Sequence, residues 1–230
     1  MTDKQLLVFG DSWPAAVKIK DKSLSFPSLI AKQLNYKLVN LAEPATSIEH
    51  AVMALIHFLE NSYTANNQYT VLFCLTDPSR NMVWEPNNDF IPDSKEFWAP
   101  SCFTREMQIN NERDISKIYF KHIHSNRYEL YNYFKNLIFV KSLCRQFNIN
   151  LFFVNNFNHQ KMSFNLLSDV KIYDKTLREI CQVDNYSESN NPIQYIMYNN
   201  NTYVEANGHP TIKGHQLIAE TLSAWITSYE

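Results

Sequence analysis

Residues 4 to 16 read KQLLVFGDSWPAA, and the make-up of this stretch decides what kind of sheet it enters. Gln5 to Phe9 is a short, mostly apolar run without polar alternation, and Gly10 ends it. A strand apolar on both faces is covered on both sides, as in a parallel sheet sandwiched by helices. Gly10 marks the sharp turn at its end, with Asp11 and Ser12 directly after it. The chain has only three glycines, and the other two, Gly208 and Gly214, precede the two histidines of NGHPTIKGH, His209 and His215. Glycine reaches backbone conformations that other residues adopt only at a cost. A glycine-poor chain that places all three beside a serine and two histidines makes those segments the first candidates for chemistry.

The rest of the chain alternates between two periods. SFPSLIAKQLN reads as an amphipathic helix with Pro27 in its first turn, and YKLVNLA as a short buried strand ending near Asn40. Ser47 is placed to cap a helix carrying Ile48, Ala51, Val52, Leu55, Phe58 and Leu59 at helical spacing. YTVLFCL (69 to 75) and INLFFVN are further buried strands, and residues 129 to 147 form a long helix. The last helix runs from about Thr211 to Ser228. Strands alternating with helices predict a three-layer α/β/α domain on a central parallel sheet. In such sheets functional loops gather at the carboxyl ends of the strands. Ser12, the loop from Asn40 to Ser47 and the TDPSR loop after Leu75 all fall there. Two stretches lack a clear period: 84 to 116, an inserted loop region, and 155 to 205, with one helix expected around 168 to 181.

The 230 residues fit a single domain over the whole chain, with 45% hydrophobic and 19% charged residues, as in ordinary globular proteins. A net charge of −2 provides no electrostatic footprint for nucleic acid and no polybasic membrane anchor. No apolar run approaches the roughly 20 residues of a membrane span. The first strand begins a few residues after Met1, which predicts no secretory leader. Cys74, Cys102, Cys144 and Cys181 show no metal-type spacing, and reduced core thiols are the plainest reading. The expected location is therefore the cytoplasm. His122 and His124 in KHIHS share one side of a strand, but nothing nearby completes a metal site.

FGDS after the first strand, together with GHPTIKGH before the last helix, resembles the SGNH (GDSL-type) hydrolase superfamily. The order of elements follows that family over nearly the whole chain, while only the two ends match its motifs closely. The resemblance implies a flavodoxin-like SGNH hydrolase fold, Ser12 as nucleophile and His209 as base. It implies an oxyanion hole built from the Ser12 N–H, Ala45 at the usual glycine position and Thr76 where the family places an asparagine. The aspartate expected three residues before the base is replaced by Ala206, leaving Glu205 as the nearest carboxylate. The alternatives are a Ser12–His209–Glu205 triad and a Ser-His dyad. The chain is also similar to divergent SGNH-like proteins of bacteriophages, which admits a phage or virion component as a second location.

A serine hydroxyl is a weak nucleophile until a positioned base takes its proton, and histidine is mostly neutral near pH 7. These residues point to a serine esterase or deacylase that needs no cofactor and no metal. Asp11, Arg80, Trp84 and Trp98 are the candidates for contacting substrate. The family's range includes acetylated carbohydrates, short-chain esters and lipids, and the tryptophans favour a carbohydrate ester. The competing reading is a carbohydrate-binding or structural module that kept the fold and lost turnover, motivated by Thr76 and Ala206. Oligomeric state has no signature in the sequence. His215, inside the last helix, reads as a packed structural residue.

Overall fold

Leu6, Leu7, Val8 and Phe9 have no exposure at all, so the strand that carries them needs cover on both faces. The computed structural model describes residues 3–78, 80–83, 101–103, 125–156, 165–182, 202–205 and 208–230. In it β1 (Lys4–Phe9) pairs in parallel with β2 (Lys37–Asn40) on one side and β3 (Gln68–Leu75) on the other. Beyond β3 lie β6 (Asn150–Asn155) and the short β7 (Lys171–Ile172), also parallel, giving the order β2-β1-β3-β6-β7.

Alternate residues of each strand feed two separate cores. Leu7, Phe9, Val71, Phe73 and Phe153 pack against α2 (Ile48–Asn61) and α3 (Asn126–Gln146). Leu6, Val8, Leu72, Phe152 and Val154 pack against α1 (Phe26–Gln33) and α5 (Ile212–Thr227). The result is the three-layer arrangement expected from the apolar strands. Helix starts follow their side chains: Ser25, Ser47 and Thr211 accept from the backbone N–H groups of Ser28, His50 and Gly214. Cys74, Cys144 and Cys181 are buried. No helix of the described residues is long and apolar enough to cross a membrane.

One reading needs correction. The helix expected over 168 to 181 is replaced by β7 and a one-turn α4 (Leu177–Ile180). Its start was legible as Thr176-x-x-Glu179, a capping box in which both reciprocal hydrogen bonds are made. Within the stretch from 84 to 116, Ser101–Phe103 (β5) pairs antiparallel with β4 (Asn81–Val83). Pro210 precedes the cap of the last helix and forms an isolated antiparallel bridge with Val204.

The N-terminal ends of α1 and α5 are joined through one side chain. His215 is 1% exposed, and its Nδ1 accepts from the Phe26 N–H at 3.1 Å. That amide is among those a helix leaves without an internal partner, so a residue far along the chain completes the cap. The imidazole also stacks on the Phe26 ring at 5.6 Å. Burial, then the charges of Lys22 and His209, lower its pKa to about 4. Close by, Gly214 lets the chain cross itself: a Cβ there would lie 2.0 Å from the Tyr203 carbonyl oxygen.

Gly214→Ala is therefore expected to destabilise the fold by about 3 kcal/mol or more, read as a lowered urea midpoint. His215 makes a second, pH-dependent prediction. The unfolded chain binds a proton at His215 below about pH 6.5, while the folded chain resists it until about pH 4. Stability contributed by the neutral imidazole is present above pH 6.5 and falls as pH drops to 4, by about 3 kcal/mol in all. Urea titrations across that window are expected to show a shallower slope in His215→Gln than in the wild type.

Candidate active site

Gly10 has φ +141°, and a Cβ there would meet the Cys74 carbonyl oxygen at 2.7 Å. The chain leaving β1 thus lies against the end of β3, and only glycine fits. Asp11 and Ser12 follow at the carboxyl edge of the sheet, where a tight turn begins. The Ala15 N–H donates to the Asp11 carbonyl at 3.1 Å, and the Ala16 N–H to that of Trp13 at 3.1 Å. Trp13, 2% exposed, buries its indole in the core beside α1 and α5. Lys22 Nζ caps the turn by donating to the Ala16 carbonyl at 2.6 Å. Ser12, at the head of the turn, is half-buried.

The loop after β2 is fastened to the same place. The Glu43 N–H donates to the Gly10 carbonyl at 3.0 Å, and the Asn40 side-chain amide to the Pro14 carbonyl at 2.9 Å. Ala45, in this loop, has φ +58°. The position that resembles a glycine site therefore keeps a glycine's backbone conformation while carrying a methyl group. Ser12 and Ala45 are brought to one neighbourhood by these bonds.

His209 arrives on a loop pinned by its own backbone. The Glu205 N–H donates to the His209 carbonyl at 2.8 Å, and the Gly208 N–H to the Glu205 carbonyl at 2.9 Å. Gly208 has φ +80°, which favours glycine there. His209 is half-buried and lies close enough to His215 to depress its pKa, as does Lys22. Lys22 in turn holds the Ser12 turn. Lys22 and His209 thus both bear electrostatically on His215, and Lys22 also holds the turn of Ser12. The Glu205 side chain is exposed.

Asp11 is the most constrained residue of the group. Its side chain has no exposure, and its two oxygens accept four hydrogen bonds. Oδ1 takes the Trp13 N–H at 3.2 Å and Asn156 Nδ2 at 2.8 Å. Oδ2 takes Thr76 Oγ1 at 2.9 Å and Arg80 Nη1 at 2.9 Å. This geometry commits both side chains to the protein itself: a carboxylate has about four acceptor sites, and those of Asp11 are taken by protein donors. The hydroxyl proton of Thr76 goes to Asp11. Arg80, expected at the mouth of the site, is an ion-pair partner of Asp11 with a side chain 15% exposed.

Asn156 was missed in the sequence. It is fully buried one residue past β6, with its N–H on the Leu75 carbonyl at 2.9 Å. The readable signal was a pair of asparagines, Asn155 and Asn156, closing an otherwise apolar central strand. Trp84, Trp98, Ala206, His122 and His124 lie outside the described residues. Among the described residues no group of three histidines, cysteines or acids is placed to hold a metal ion.

A left-handed backbone costs an L-residue about 1–2 kcal/mol, partly offset in a glycine variant by greater unfolded-state entropy. Ala45→Gly is therefore expected to raise stability by about 0.5–1 kcal/mol, measurable as a higher urea midpoint.

No protein-family model matches the chain, and no curated protein matches it in sequence. Solved structures match it along nearly all its length. TesA superposes with a TM-score of 0.52 at 13% identity, covering 97% of each chain. A member of the lipolytic protein G-D-S-L family from Veillonella parvula DSM 2008 gives 0.53 at 11%, covering 97% of this chain and 98% of that one. The psychrotrophic esterase EstA from Pseudoalteromonas sp., in a structure inhibited by monoethylphosphonate, gives 0.50 at 12%, covering 99% and 98%. Likeness at such identities speaks for architecture, and with the sheet order and layers above it identifies the chain as a divergent form of the SGNH (GDSL-type) hydrolase fold.

Proposed function

We propose that the chain is a serine ester hydrolase of SGNH type. The observation that carries this reading is that the loop with the left-handed Ala45 is fastened, through the Glu43 N–H and Thr46 Oγ1, to the Gly10 carbonyl just before Ser12. His209 takes the proton of Ser12 Oγ as that oxygen attacks the ester carbonyl carbon, and the carbonyl π pair moves to oxygen. The Ser12 and Ala45 N–H groups stabilise that oxyanion. Collapse of the tetrahedral intermediate expels the alcohol, which leaves with the proton returned by His209. Water then attacks the acyl-Ser12 while His209 takes one of its protons, and His209 returns that proton to Ser12 Oγ as the acyl C–O bond breaks and the carboxylic acid departs. The hydrogen bonds within the loop from Glu205 to His209 hold the imidazole's backbone, with Glu205 as its nearest carboxylate in sequence. The substrate class is a small-molecule ester, with O-acetyl carbohydrates and short-chain esters the first to try.

The commitment of Thr76 to Asp11 favours a second reading, a carbohydrate-binding or structural module. Two backbone donors without a side-chain amide make a weaker hole, and loss of one such donor costs about 10²–10³ in turnover.

A tagged fluorophosphonate separates the two. Displacement of fluoride by Ser12 Oγ should add one phosphonyl group to the wild type, seen by intact mass, and none to Ser12→Ala. His209→Ala should react at least about a hundredfold more slowly. Folded wild type that takes no label would leave the binding module as the function.

A further inference from the structure

We propose that Asp11 is a positioning residue for Ser12, and that Thr76, Arg80 and Asn156 act on the site through it. Because its readout is the reactivity of Ser12, this assignment rests on the esterase reading. Its basis is the placement of the four donors. Asp11 follows β1, Thr76 and Arg80 follow β3, and Asn156 follows β6, so one carboxylate gathers the carboxyl ends of three neighbouring strands. The fourth donor, the Trp13 N–H, closes a ring that encloses the peptide between Asp11 and Ser12. Such an Asx turn fixes the backbone at the residue it spans. The direction of the Ser12 N–H, one of the two backbone donors to the oxyanion, is therefore set by where the Asp11 carboxylate sits. The three side-chain donors hold it there.

Arg80 and Asn156 have opposite tasks in this clamp. Arg80 balances the charge of a carboxylate that has no contact with water. Asn156 supplies rigidity: it is fully buried, its N–H and carbonyl are bonded to Leu75 and to the Arg178 N–H, and its Nδ2 must face Asp11. Its Oδ1 has no hydrogen-bond partner among the described residues. An amide held with an unsatisfied oxygen in the interior costs stability. Its retention is explained by the donor it directs at Asp11.

The experiment measures fluorophosphonate labelling of the wild type, Thr76→Val, Asn156→Ala and the double variant, with rate constant and final amplitude recorded separately. Thr76→Val keeps shape and removes one donor. Positioning predicts that each single variant labels to nearly full amplitude with a maximal rate lowered about tenfold to a hundredfold, at unchanged half-saturating concentration. Thr76→Ser, which restores a hydroxyl, should recover most of the rate lost in Thr76→Val. Because both donors act on one carboxylate, the double variant should lose less than the product of the two single losses. Reduced amplitude at the wild-type rate would mean that the clamp only keeps the chain folded, and would overturn the proposal. So would rates equal to wild type in both single variants.

Amide exchange at Ser12, Trp13, Ala15 and Ala16 gives a readout independent of turnover. Asn156→Ala should speed exchange there at least about tenfold while the middle of β3 stays protected. If wild-type Ser12 takes no label, the esterase reading falls, and exchange alone decides whether Asp11 holds the turn. Unchanged exchange would then refute the clamp.

Discussion

A carboxylate removed from water must be satisfied wholly by the protein around it. Asp11 meets that demand with donors from its own turn, from the loop after β3 and from the end of β6. Each donor is a constraint on the segment that carries it. The registers of β1, β3 and β6 can be held by pairing alone, but the irregular chain beyond their ends cannot. The ion pair and three hydrogen bonds at Asp11 order that irregular part. Removing one partner while leaving the others buried would leave an unbalanced charge or an idle donor, so these residues are coupled more tightly than their separation in sequence implies.

Beneath this polar cluster the packing is ordinary for the class. Both faces of the sheet are apolar, each covered by helices, and residues alternate cleanly between the two cores. That packed floor supports the loops at the carboxyl ends of the strands. Gly10 shows the limit of the closeness, with its backbone pressed on Cys74. Ser12, Ala45 and the Asp11 cluster all lie at the carboxyl edge of the sheet.

The fold was legible because its cause lies in local sequence. An uninterrupted apolar strand such as 69 to 75 reports burial on both sides, and Ser25 and Ser47 report where helices begin. The stretch from 168 to 181 was misread because its composition is compatible with a helix, while the deciding signal was a single capping box at Thr176. At the candidate site, the resemblance to a family supplied the roles proposed for Ser12 and His209. The bond between Asp11 and Thr76 was not legible for a physical reason. A hydroxyl or carboxylate looks the same in sequence whether it faces solvent or another side chain. What distinguishes them is a partner 65 or 145 residues away, and no local pattern encodes that.

The imidazole of His215 accepts from the amide of Phe26 across 189 residues of chain. The first helix therefore completes its N-terminus with a side chain from the last one, and that same last segment delivers His209. During synthesis on a ribosome, the chain can pair β1, β2 and β3 long before either residue emerges. It cannot finish covering one face of the sheet until the segment with His209 docks. Closure of the structure and arrival of His209 are one event, so a partly folded chain does not present Ser12 and His209 together.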